Sequence, residues 1–174
     1  MGDSAASGQV RRGTSMSPRV RGGMRATPFL RALAVVMTAL ALVPAGAHLL
    51  ALPNKIALPQ AEYFVAQGLY RGWALAGVVW FAAPLADAAL ALALRREGRP
   101  WRLAFAAALL MVAALALFFL FTFPANQATA NWTEAPEGWE ALRQQWEWSH
   151  AVNAVLVFLA LLCVTRAAVE ADRR

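Results

Sequence analysis

The sequence is poor in charge and in the residues that most catalytic motifs need. Only 15% of its 174 residues are charged, against about 25% in an average soluble domain. It holds one cysteine, Cys163, and two histidines. A single cysteine excludes an internal disulfide framework and a thiolate metal cluster. Cys163 lies in an apolar run and reads as a small core or lipid-facing residue. No glycine-rich phosphate loop, cysteine pair, His-Glu-x-x-His or nucleophile elbow occurs.

What the chain has instead is apolar surface. Sixty per cent of its residues are hydrophobic and its mean hydropathy is +0.48. That excludes a disordered chain overall, and a soluble fold of this size would have to bury nearly all of it in one core. A bilayer removes that need. The glycine-, serine- and arginine-rich stretch at residues 1–27 has no helical apolar period and reads as a disordered basic arm, with Met16 and Met24 as alternative starts.

Four apolar segments follow, at about 28–52, 72–94, 103–123 and, for its apolar part, 150–169. Each is close to the ~20 residues that cross ~30 Å of hydrocarbon as a helix. They are continuous Ala- and Leu-rich runs, not the short alternating strands of a barrel. The expectation is an all-α, four-transmembrane-helix bundle over residues 28–170. A signal peptide cleaved after Ala45-Gly46-Ala47 is the rival reading of the first segment.

The net charge of +6 is sided. Six arginines up to Arg31, then Arg95, Arg96, Arg99 and Arg102, then Arg166, Arg173 and Arg174 fall on one side. Lys55, Arg71 and Arg143 fall on the other. The positive-inside rule then predicts both termini in the cytoplasm and a multi-pass protein of the cell inner membrane. The basic residues lack interleaved aromatics that would stack bases, so nucleic acid is not an expected partner. The lipid bilayer is.

The loop at residues 53–71 predicts a short interfacial helix starting near Gln60, after Pro59. Pro136 suits the first turn of a long fourth helix at about 136–169, roughly 50 Å at ~1.5 Å per residue. Its first ~14 residues would stand outside the hydrocarbon. Along it Trp139, Arg143, Trp146, His150 and Asn153 recur at spacings of 4, 3, 4 and 3, which puts all five on one face. Glu140, Gln144, Gln145 and Glu147 read as solvated residues of the other faces. An aromatic belt explains the tryptophans, but not Arg143, His150 and Asn153 beside them. The sidedness places His48, near the end of the first segment, at the same depth as His150. Asn54, Tyr70 and Asn126 flank that end. These residues form one candidate polar and aromatic pocket. Asp87, within the second segment, reads as a structural intramembrane carboxylate bonded to Thr38 or paired with Arg31 or Arg102.

These residues carry a resemblance. HLLALPNKIAL followed by YRGW, then FPANQATANW and WEALRQQWEWSHAVNAVL, resemble the small four-helix membrane proteins grouped with the fungal anthrone oxygenases, over roughly residues 30–170. Its most specific part is Pro124-x-Asn126 followed by Trp139, Arg143, Trp146 and His150. Where members carry Arg or another polar residue after the histidine, this chain has Asn153. The resemblance implies oxidation of a lipophilic aromatic small molecule by molecular oxygen without metal or flavin. In that reading His150 is the base, His48 its partner and Arg143 or Asn126 an oxyanion stabiliser. Trp139 and Trp146 sandwich the ring, and Asn153, Asn54 and Tyr70 add contacts.

Two other readings stay open. Paired histidines on different helices are the minimum for a haem b held by two axial ligands. A non-catalytic membrane subunit that packs its Trp-rich end against a periplasmic partner is the other. Oligomeric state is not legible.

Overall fold

The computed structural model describes residues 18–171, with side chains from Thr27 onward. The first 17 residues of the expected arm lie outside the described residues. The described chain is all-helical: α1 (Pro18–Lys55), α2 (Gln60–Gln67), α3 (Gly77–Arg96), α4 (Arg102–Leu117), α5 (Phe123–Ala128) and α6 (Trp139–Glu170). A 3-10 turn, Trp73–Ala76, leads into α3, and a π-helical turn, Phe118–Thr122, joins α4 to α5. Four continuous helices, Thr27–Lys55, Trp73–Arg96, Arg102–Ala128 and Trp139–Glu170, are long and apolar enough to cross a membrane.

Several boundaries differ from expectation. The helical backbone of α1 starts at Pro18, ten residues before the expected boundary. The third span runs past residue 123 to Ala128. The fourth helix starts at Trp139, not Pro136, because Gly138 takes a left-handed turn (φ 73°) just before it. That conformation costs a side-chain-bearing residue energy and costs glycine little. The short helix after Pro59 forms where expected.

Four spans pack as a closed square. α1 and α4 each pack against both α3 and α6. The contacts fall on heptad stripes. On α1 the buried residues are Thr27, Arg31, Ala34, Thr38, Ala41, Ala45, His48 and Lys55. On α6 Trp139, Trp146, His150, Asn153, Val157, Ala160, Val164 and Ala167 continue one 3-and-4 stripe. Alanine dominates the interior of every span, so the backbones approach closely. The large aliphatics turn outward: Val78 and Leu85 are 71% exposed and Leu120 is 68% exposed. An exterior this apolar matches lipid, not water. The molecule is a multi-pass membrane protein.

Polar groups inside the bundle are few. The Thr38 hydroxyl lies 3.3 Å from both oxygens of the buried Asp87, between α1 and α3. At one end of the bundle arginines hold the helix termini. The last carbonyl of the α6 stripe, Ala171 O, accepts from Arg99 and, at 3.4 Å, from Arg31. Cations at a helix C-terminus also suit its dipole. Thr27 donates to Glu97, which Arg99 pairs at 3.4 Å.

Candidate functional site

The opposite end of the bundle is built from aromatic rings around two histidines. His48 sits on the α1 stripe and His150 on the α6 stripe, and these helices are neighbours. Their imidazoles stack at 4.0 Å between centroids with 26° between planes. Trp146 meets both rings edge-on, 4.9 Å from His48 and 4.2 Å from His150. Tyr70 lies 4.3 Å and Trp73 5.5 Å from His48. In both imidazoles Nδ1 is buried without a hydrogen-bond partner. Leaving such an atom unpaired costs roughly 1–3 kcal/mol. Nε2 of each ring is not among the buried unpartnered atoms. Two positive charges at this spacing would repel by about 4 kcal/mol at an effective dielectric near 20.

A cavity of about 780 Å³ is lined by both histidines, Tyr70, Trp73, Trp146 and Asn126. The candidate residues thus divide. His48, His150, Trp146, Asn126 and Tyr70 reach one cavity. Trp139, Arg143, Asn153 and Asn54 are not among its lining residues. Arg143 stands nearly two turns from His150 toward the end of the bundle, where α2 and its preceding loop cover it. Its Nη1 donates to Leu58 O at 2.8 Å, and its guanidinium lies 4.7 Å over Trp139 and 5.4 Å over Tyr63. This geometry ties Arg143 to the loop and packs Trp139 against its guanidinium, away from the cavity lining. Asn153 lies one turn deeper, fully buried, with neither amide atom partnered. Asn54 is exposed, one residue off the α1 stripe.

Asn126 does something the spacing did not show. Its Oδ1 accepts from Trp146 Nε1 at 2.8 Å and from Trp132 Nε1 at 3.0 Å. One carbonyl thereby sets two indoles. Trp132 reaches it through an unusual turn in which Ala130, Asn131 and Trp132 all have positive φ, at 46°, 56° and 63°. Left-handed residues other than glycine cost roughly 1–2 kcal/mol each. Thr129 holds the turn: its hydroxyl donates to Ala125 O at 2.8 Å and accepts from Trp132 N at 3.1 Å. Strain of this kind collects where a site needs a side chain placed.

Two charged residues were missed. Lys55 and Glu147 are both buried and lie 2.9 Å apart. Glu147 was expected to be solvated; it is the one such residue on α6 that is fully buried, because the stripe widens there to meet α2. Tyr63 donates to Glu147 Oε1 at 3.0 Å and receives a bond from Gln67 Nε2 at 2.5 Å. Burial, and then the Glu147 carboxylate, push the Tyr63 phenol well above its ordinary range. The Lys55 ammonium stands 4.5 Å over Tyr70 and 4.8 Å over Trp146, the rings that contact His48. A signal for it exists in the sequence. Lys55 is the only lysine beside fifteen arginines, and it follows His48 by one heptad.

The histidine pair does not fit a haem as it stands. Axial imidazoles point nitrogens at the iron from opposite faces of the macrocycle. Rings stacked face to face at 4.0 Å leave no room for one. Among the described residues no three His, Cys, Asp or Glu side chains stand together as a metal site. Comparison with protein-family models, with curated proteins and with solved structures finds no match for this chain.

Proposed function

We propose that this chain is an integral membrane oxidoreductase of the anthrone-oxygenase-like kind. It takes a lipophilic aromatic small molecule into the histidine cavity and oxidises it with molecular oxygen, without a resident cofactor. The observation that carries this reading is the stacked His48–His150 pair on the wall of an aromatic cavity. An imidazole there can take the proton of a phenol or enol. His48, stacked on it, is its partner in the site. Tyr70 and Trp146 offer faces and edges to a flat ring. The Asn126 amide nitrogen, whose oxygen is already engaged, supplies donors for a developing oxyanion. The electron-rich anion meets oxygen dissolved in the same apolar space. The overall change converts a ring methylene and O₂ into a carbonyl and water, which balances.

The sided arginines favour both termini in the cytoplasm and the histidine cavity on the outer side of the inner membrane. The long α6 then extends beyond the hydrocarbon on that outer side.

The test is oxygen uptake by the purified protein with a polycyclic phenolic ketone. His150→Ala is expected to abolish turnover, and His48→Ala to lower it by about 10²-fold or more, the usual worth of a positioned acid–base group. Unchanged turnover in His150→Ala overturns the assignment. No uptake by the intact wild-type protein with any such ketone favours the non-catalytic membrane subunit.

A further inference from the structure

The cavity has two unlike sides. One holds the histidines, and Gln67, Arg71 and Asn131 stand on its polar margin. The other is wholly apolar and reaches the outside of the bundle. Phe81 and Phe119 line the cavity, yet they are 53% and 48% exposed. A side chain that both lines a cavity and faces outward stands at an opening; Arg71, Trp73 and Asn131, also lining and exposed, mark a second opening at the loops, and Phe81 and Phe119 mark a mouth on the flank of the bundle.

The depth of that mouth decides what it opens on. Phe81 is eight residues into the span that begins at Trp73, about 12 Å along a helix. Phe119 is nine residues short of the end of its span at Ala128, about 14 Å. Both lie below the interfacial level and face hydrocarbon. The wall at this point is the π-helical turn Phe118–Thr122, a widened turn of the kind found at functional sites. The Phe81 and Phe119 rings meet across the gap at 6.3 Å, a loose contact between two side chains.

Resting on the function proposed above, we infer that the ligand is amphipathic and is drawn sideways from the bilayer. Its phenolic or enolic ring sits at His48 and His150, and its alkyl tail leaves between Phe81 and Phe119 into the lipid. A ligand arriving from water needs no mouth at this depth. A ligand with no polar head leaves the unbonded imidazole nitrogens unused. A ring with an apolar tail satisfies both sides of the cavity at once.

The experiment uses the full chain in lipid nanodiscs, with Cys163→Ala as background and Phe81→Cys/Phe119→Cys as the working variant. A short, reducible thiol cross-linker closes the mouth. The probes are 2-naphthol and decyl-substituted 2-naphthol, followed by energy transfer from tryptophan. Closing the link is expected to slow association of the decyl probe at least about tenfold and that of 2-naphthol by less than about twofold, a barrier change confined to one path. Reduction is expected to restore the decyl rate in the same sample, which shows that the linked protein was folded. Equal rates for the decyl probe with the link open and closed overturn the inference. If 2-naphthol binds the open protein and the decyl probe does not, the inference falls while the histidine site stands. If neither binds, the site reading falls with it.

Discussion

The two ends of the bundle use polar residues in opposite ways. At the arginine end the polar groups act on the backbone and on each other. Arg31 and Arg99 reach one helix-terminal carbonyl, Thr27 reaches Glu97, and Arg166 pairs with Glu170 one turn away at 2.6 Å. At the aromatic end they are gathered under rings and away from water. Lys55 and Glu147 form a buried pair, two imidazoles stack, and three successive residues hold left-handed backbone. The first arrangement closes a bundle. The second gives up stability to place side chains around a space.

Four changes break or sharpen that contrast. The largest effect is expected from Glu147→Ala. It leaves the Lys55 ammonium buried without its partner, and such a loss costs about 3–5 kcal/mol. Unfolding in detergent measures it. Replacing both at once, Lys55→Met with Glu147→Leu, is expected to restore most of the loss, because the penalty lies in the unpaired charge. A double variant as unstable as the single one would show that the pair holds the end together by more than charge.

Asn126→Leu comes next. It removes the shared acceptor of Trp132 and Trp146, and each buried donor left unpaired costs roughly 1–3 kcal/mol. The expected signs are a lowered unfolding temperature and a shifted tryptophan emission. Neither is expected for substitution of an exposed polar residue of α6 that bonds no indole, such as Glu140→Gln.

Tyr63 gives a smaller, pH-dependent effect. Its phenol is held protonated by burial and by Glu147, so its folded pKa lies above the unfolded value. The sign follows from proton counting: between the two pKa values the unfolded state binds fewer protons, so stability falls as pH rises. The contribution is complete below the ordinary tyrosine range, near pH 10, and is lost above it. Tyr63→Phe is expected to flatten this alkaline loss in an unfolding series. An alkaline slope equal to that of the wild type would sink the assignment.

The smallest effect belongs to the arginine end. Arg166→Ala breaks an exposed i, i+4 pair and is expected to change stability by no more than about 0.5 kcal/mol. A loss comparable to that of Glu147→Ala would erase the distinction between the ends.

Much of the site was legible along one helix and little of it across helices. The 4-3-4-3 recurrence from Trp139 to Asn153 placed a real stripe, because heptad spacing on a helix is a local property. The same spacing could not say which members of the stripe meet a cavity. Arg143 and His150 hold equivalent register, yet one is absorbed by the Leu58 carbonyl and the other faces His48. Glu147 was read as solvated because its burial comes from α2, an element of another segment. The turn at Ala130–Trp132 has no glycine to announce it, and the π turn is written in ordinary aromatic and aliphatic residues.

By itself the sequence determined four apolar helices, the sided arginines and the heptad stripe of the fourth helix. Each depends on composition and on a short, repeating geometry that needs no knowledge of neighbours. Only the tertiary structure decided that the two histidines stack, that the lone lysine meets Glu147 under Tyr70 and Trp146, and that one cavity is lined by both histidines, Phe81 and Phe119. Those outcomes hang on which side chains face one another across separate helices. That is settled by close packing of the whole bundle, not by any one segment.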